Sequence, residues 1–441
     1  MKQFLIILMV ISVNSVFSQH DTTNKNFVEF NPSFSYKMLD QNLDLRKVNI
    51  LLDEKQKGTV KNNSLIIGGS LISIGDYQKS NTDSKFGYLM RHPTPSNQIG
   101  TEVSEIVIHS FQLSFTGIVN SWLAAHTEIL YSPEQSFGSG TITAIGRNQL
   151  QLRKGFALIG DLDKFPVYLA LGKMDTPFGQ TGSVSPFTNS TFYHAFGGLG
   201  YGGQIGFKSH NFHAKFMAVQ GGAQFRALNT PVGNGTNVPS KVNNFVADLN
   251  YTIHFSSKTT FYFGASYVHG SAYNQDFPVS HFSPGTDVNP AYTYYGKLNI
   301  NNRFILKGGY AKTLKVWKGT HNPTPPLDVY EASKVSSLDV GAKLYLNNSE
   351  KVQYAISGEF SNFIAGAKGS PWERQNQIVA GFSAMVKKSS MLFLELFRTD
   401  GYAPLNFISG SADNNPFPPG VTHSLRSANS MGIVCGVQVS I

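Results

Sequence analysis

From Asn244 to Phe255 the chain reads NFVADLNYTIHF. Phe245, Ala247, Leu249, Tyr251, Ile253 and Phe255 fall on one side of an extended strand. Asn244, Asp248, Asn250, Thr252 and His254 fall on the other, because successive strand side chains point to opposite faces. After Ser256-Ser257-Lys258 the alternation resumes with Phe261, Phe263, Ala265 and Tyr267 on one side. The same period of two recurs through Leu338, Val340, Ala342, Leu344 and Leu346, through Val352, Tyr354, Ile356 and Phe360, and from Met431 to the terminal Ile441. A hairpin of alternating segments with a polar turn is the repeating unit of this sequence.

Alternation alone also fits a soluble sandwich, so segment and connection lengths decide. About sixteen candidate strands are legible, near 65–75, 102–116, 121–131, 141–159, 165–173, 200–208, 211–220 and 243–255. The remainder lie near 259–270, 291–301, 303–313, 336–347, 351–362, 377–387, 391–399 and 430–441. Most are near the 9–11 residues that a tilted membrane strand needs. Their links alternate strictly. Tight ones sit at Ile118-Val119-Asn120, Gly160–Lys164, Ser209-His210, Ser256–Lys258, Asn301-Asn302, Asn347–Glu350 and Lys388–Ser390. Long links rich in Gly, Pro and Asn lie between them, including 221–242, 271–290, 314–335 and 400–429. Short turns at one end and long loops at the other predict an all-β fold: a transmembrane antiparallel β-barrel of about 16 strands, with short periplasmic turns and long extracellular loops. An even strand count brings both termini to the periplasmic end.

The composition agrees. Of 441 residues, 14% are charged, 12% aromatic and 41% hydrophobic, where a soluble domain is about 25% charged, yet mean hydropathy is only −0.15. Finely interleaved polar and apolar positions produce that pairing. Disorder is excluded by the apolar content, and a disulfide scaffold by the single Cys435. Outward aromatics cluster near strand ends: Phe115, Phe207, Phe212, Phe255, Phe261 and Phe304 by the tight turns, and Tyr131, Tyr201, Tyr292, Tyr310 and Phe360 toward the long loops. Two such girdles mark the interfaces of membrane barrels.

Residues 1–18, MKQFLIILMVISVNSVFS, read as a cleaved signal peptide, with Lys2 before a short apolar run and Val16 and Ser18 at the cleavage positions. Its loss takes the net charge from +9 to +8. Residues 19–64 do not alternate. Leu45, Val48, Leu51 and Leu52 could form one face of a short helix within Asp44–Glu54, read as an exposed periplasmic helix or linker, with a plug in the lower barrel as the alternative. Residues 65–441 are assigned to the barrel.

If apolar positions face lipid, alternate ones face the lumen. Arg153, Lys215, Lys297, Lys307 and Lys343 fall there as pore-lining candidates, and Glu128, Asp248, Asp339 and Glu359 as acidic ones nearer the long loops. A basic row would favour anions; the alternative is pairing across strands. The third long link, Met174–Leu199, carries one charge, Asp175, and many aromatics. It reads as a constriction loop folded into the lumen, with Pro177, Phe178, Gly179, Phe187, Phe192 and Tyr193 as its candidate residues; an extracellular loop that stacks a ligand on those rings is the alternative. No catalytic or metal-binding motif is found: the 12 His are scattered, and His194, His210 and His254 have no Ser and carboxylate in a recognisable local arrangement. Neither enzyme, cofactor, metal nor nucleic-acid partner is expected. The expected partners are outer-membrane lipid and a small-molecule solute, in a monomer or trimer.

Gly155-Phe156-Ala157-Leu158-Ile159-Gly160-Asp161-Leu162 leads into Phe165-Pro166-Val167-Tyr168 and then Gly172-Lys173-Met174-Asp175-Thr176-Pro177-Phe178-Gly179. This arrangement resembles the LbtU-type siderophore porins of Gram-negative bacteria. The resemblance implies a sixteen-strand barrel taking up ferric siderophores without a TonB-type plug. The coiled coil such proteins often carry before the barrel would here be only the remnant Asp44–Glu54, and Ile441 replaces their usual terminal Phe. The function expected is therefore an outer-membrane channel for small polar, anionic solutes, including ferric siderophores. A surface ligand-binding protein or adhesin using the long loops is the alternative.

Overall fold

A computed structural model describes residues 27–40, 42, 46–82, 101–131, 150–180, 182–221, 241–273, 288–403 and 424–441. The expected signal peptide, and most of the long links 221–242, 271–290 and 400–429, lie outside these residues. In chain order the elements are β1 (Val28–Glu29), α1 (Pro32–Leu39), α2 (Lys47–Gln56), β2 (Ser64–Ser80), β3 (Glu102–Ile118), β4 (Leu123–Tyr131), β5 (Leu150–Ile159) and β6 (Val167–Asp175). Next come α3 (Thr191–Phe196), β7 (Leu199–Ser209), β8 (Phe212–Gly221), β9 (Lys241–His254), β10 (Thr260–Val268), β11 (Ala291–Ile300) and β12 (Phe304–Thr313). The last strands are β13 (Ser336–Tyr345), β14 (Val352–Ile364), β15 (Arg374–Val386), β16 (Ser390–Tyr402) and β17 (Leu425–Ser440).

Each strand from β2 to β17 pairs antiparallel with the next, and β17 closes on β2 from Ser430↔Ser80 to Ser440↔Ser70. The result is a closed barrel of sixteen strands. Closure removes the unpaired edges that could not survive in hydrocarbon. At the seam Ile441 exchanges backbone bonds with Gly69, and β1 pairs in parallel with Leu65 and Ile66 of β2. Positive φ at His210, Asn301, Asn302, Lys387 and Lys388 closes three of the tight turns. Asn and His tolerate this left-handed conformation better than most residues.

The burial pattern is that of a molecule turned inside out. On β16, Leu392, Leu394 and Leu396 are 41–56% exposed, whereas the intervening Glu395 is 0% exposed. Around the wall, exposed Ile205, Phe216, Leu249, Leu306, Ile356, Phe382 and Ile433 face outward, and buried Gln112, Glu128, Gln204, Asp248, Ser361 and Gln377 face inward. In water that arrangement would be costly at every apolar position; in lipid it is the stable one. All of the aromatics assigned to the two girdles lie on strands or turns whose apolar residues face outward.

The apolar core therefore sits within the barrel, where inward elements meet the wall. Within the stretch expected as an exposed linker, the described helices α1 and α2 are instead partly buried. Phe34, Met38, Val48, Leu51 and Leu52 are buried with Ile118, Leu158 and Ala170, and Tyr36 packs with Phe187, Phe393 and Val434. The reason is that α1 supplies a second apolar face: six or more such side chains, each worth about 1.5–3 kcal/mol on burial, outweigh the polar surface of α2. The helix α2 begins at Lys47; Asp44 and Leu45 lie outside the described residues. The helix α1 was not expected, although Asn31 caps it through Oδ1, 3.1 Å from the Phe34 amide, and Pro32 follows at the first helical position, both ordinary helix-start signals.

Candidate functional site

The segment between β6 and β7 folds into the barrel and docks on the opposite wall. Two carboxylates of that wall accept its backbone. Glu359 on β14 takes the Val184 amide (2.8 Å) and the Ser183 hydroxyl (2.8 Å). Glu395 on β16 takes the Phe187 amide (2.7 Å), the Thr188 amide (3.1 Å) and the Thr188 hydroxyl (2.5 Å). Thr191 donates to Ser361 (3.0 Å), Gln377 to the Asn189 carbonyl (2.8 Å), and Lys307 to the Gly182 carbonyl. On β10, Ser266 receives the Gly179 amide at 2.9 Å. Hydrogen bonds from a buried amide to a carboxylate are among the stronger ones in proteins.

Two wall glycines make the close approach possible. A Cβ at Gly341 would lie 2.5 Å from Val184, and one at Gly381 would lie 2.6 Å from Pro186. Rings complete the seat. Phe187 stacks on Phe393 at 5.3 Å and meets His109 edge-on at 5.1 Å. Phe178 and Phe192 both pack on Phe196, which meets Tyr273, itself against Trp317. Pro177, Phe178, Gly179, Phe187 and Phe192 are buried, and Tyr193 is half-buried on α3. The aromatic load of this stretch is used in packing.

The basic row is brought to the lumen side but largely neutralised. Lys215 meets Asp248 at 2.9 Å, Lys307 meets Asp339 at 2.7 Å, and Arg153 meets Glu128 at 3.0 Å, all with side chains at most 5% exposed. Lys215 and Asp248 are direct cross-strand partners, and Asp339 is two residues along from the partner of Lys307. A lysine side chain spans an offset of two residues, roughly 7 Å, so acids expected nearer the long loops still reach these bases. Lys154 and Asp175 form a further pair at 2.8 Å that the sequence reading missed. Lys297 and Lys343 remain half-exposed, the latter 5.7 Å over the Tyr345 ring.

The N-terminal segment is the second inward element. Asn42 touches the loop twice: its side chain donates to the Ser185 carbonyl (2.9 Å) and its carbonyl accepts from Ser183 (2.9 Å). Arg46 reaches Tyr262 on β10, with its guanidinium 3.3 Å from the hydroxyl and 6.0 Å from the ring centre. Lys47 donates to the Lys37 and Asp40 carbonyls, and burial, with Lys154 nearby, pushes its amine down to about 8. At the short-turn end Lys208 pairs with Asp53 at 2.5 Å and Lys37 with Glu54 at 2.9 Å.

No three His, Cys, Asp or Glu side chains among the described residues converge on a metal-sized site. His194 lies on α3, His210 in the β7–β8 turn and His254 at the end of β9.

A closed sixteen-strand wall with a long inward loop between its fifth and sixth strands can be compared with known barrels. The anion-selective porin from Comamonas acidovorans superimposes with a TM-score of 0.52 at 12% identity, over 86% of this chain and 99% of that one. The fold is that of the outer-membrane porins. OprB of Pseudomonas putida matches with a TM-score of 0.51 at 10% identity, over 85% of this chain and 94% of that one. The outer membrane channel DcaP of Acinetobacter baumannii matches with a TM-score of 0.50 at 10% identity, over 86% and 97%. No protein-family description and no curated protein matches the sequence, so the porin likeness rests on architecture.

Proposed function

We propose that the protein is an outer-membrane diffusion channel for small polar solutes, exported by the signal peptide at 1–18. The observation that carries this reading is the loop at 176–198, held against the far wall by Glu359 and Glu395. A loop that narrows a polar lumen, anchored by buried charge-assisted bonds, is of use to a channel and of no evident use to a solid scaffold. Pro177, Phe178, Gly179, Phe187, Phe192 and Tyr193 give that constriction its shape.

The solute preference is for anions, on a smaller basis than five cations. Arg153, Lys215 and Lys307 hold the wall together by pairing, and the half-exposed Lys297 and Lys343 carry the bias, since accessible charged side chains set the sign preference of a pore. Ferric siderophores stand as one class of solute, on the strength of the resemblance at 155–179. Conductance in planar bilayers tests the channel: purified protein that inserts and never conducts would end it. Under a salt gradient the reversal potential is expected to report modest anion preference, lost in Lys297→Gln/Lys343→Gln; a cation preference in the wild type would remove the bias. A deletion strain that grows normally on every ferric siderophore would remove the iron reading and leave a general porin.

A further inference from the structure

We infer that α1, Asn42 and α2 form a resident plug that, with the inward loop, sets the size limit for what passes. The inference rests on the channel reading and adds a second determinant of its selectivity. Three observations support it. First, α1 occupies lumen space by design of the wall. A Cβ at Gly68, on the inner face of β2, would lie 2.9 Å from the Ser35 Cβ and 2.7 Å from the Ser114 hydroxyl, so the missing side chain is the seat of the helix. Tyr36 also bonds the sulfur of Met391 on β16 at 3.6 Å.

Second, the segment spans the lumen. From its seat on β2, β3 and β17 it extends to Tyr262 on β10 through Arg46, and to β7 through Lys208–Asp53. Third, it holds the loop. Ser183 and Ser185 face wall carboxylates or neighbours on one side and Asn42 on the other, so the loop is clamped between wall and plug. Removing the plug both opens space and frees one side of the loop. In a barrel interior, the residues that fill the lumen decide what fits through it.

The test uses the full-length protein. Gly68→Leu fills the seat of Ser35 with a side chain that a barrel strand accommodates, and a second variant lacks residues 32–56. Displacement of the segment is read by trypsin cleavage after Lys37, Lys47 and Lys55, and barrel integrity by heat-dependent gel mobility. The locked form Ser35→Cys/Ser114→Cys, in a Cys435→Ser background, ties α1 to β3. Displaced variants are expected to show unit conductance raised roughly twofold or more, and to admit larger sugars in liposome swelling. The oxidised locked form is expected to keep the wild-type values. A conducting wild type whose displaced variants conduct identically overturns the plug. If wild type and displaced variants are all silent, the channel reading fails instead.

Discussion

Glu395 holds the inward loop with one carboxylate that accepts two amides and a hydroxyl. Glu395→Gln removes the charge from those bonds at a cost of about 1.5–3 kcal/mol to loop docking. Single-channel records are expected to become noisier while barrel stability changes little. Lys215 and Asp248 behave differently, because they are buried together. Lys215→Ala leaves a carboxylate without its ion-pair partner and is expected to cost about 3–5 kcal/mol, measured by denaturant unfolding in detergent. Glu54 carries the acid limb of the pH dependence of α2. Burial alone would raise its carboxyl, but Lys37, Thr59 and Lys57 hold it below the usual carboxylate range. A depressed carboxylate stabilises the folded state above the ordinary carboxylate pKa, and that contribution is lost as pH falls through the folded value. Hydrogen exchange of α2, corrected for intrinsic rates, is expected to accelerate on acidification, with the acid-dependent part absent in Glu54→Gln.

At the scale of elements, the loop and the N-terminal segment are seated by absences in the wall. Gly341 and Gly381 receive Val184 and Pro186. Gly341→Leu together with Gly381→Leu is expected to push the loop off β13 and β15 and raise conductance, with no loss of the barrel's heat-modifiable mobility. Unaltered conductance would show that the loop does not restrict flow. The strands themselves were legible because period two and turn chemistry are local properties. Every expected strand is present, within a few residues at each end over the described residues. The helix α2 was legible as well. The helix α1 was passed over because a cap at Asn31 and a Pro at 32 are weak signals in eight residues. Its apolar face has meaning only against wall residues far along the chain, such as Ile118, Phe393 and Val434.

For the whole molecule, the decisive quantity is which side of the wall meets lipid. Leu394 on β16 faces outward between Leu392 and Leu396, and Leu394→Arg is expected to cost about 2–4 kcal/mol if it lies near the bilayer midplane. Folding into lipid vesicles of graded denaturant measures this. No penalty would contradict the membrane assignment of this face. The net charge of +9 is no guide to the lumen field, because pairing across strands cancels Arg153, Lys215 and Lys307 where they stand.

The sequence by itself determined the architecture: closed β, about sixteen strands, short turns alternating with long links, and an aromatic-rich link after β6. Those features follow from neighbours along the chain, where side-chain alternation and turn residues act directly. Only the tertiary structure decided that the basic row is mostly paired, that Glu359 and Glu395 anchor the loop, and that the helices α1 and α2 pack against the inner wall of the barrel. Each of these depends on distances between residues far apart in sequence, set by strand register and by the reach of side chains across a lumen.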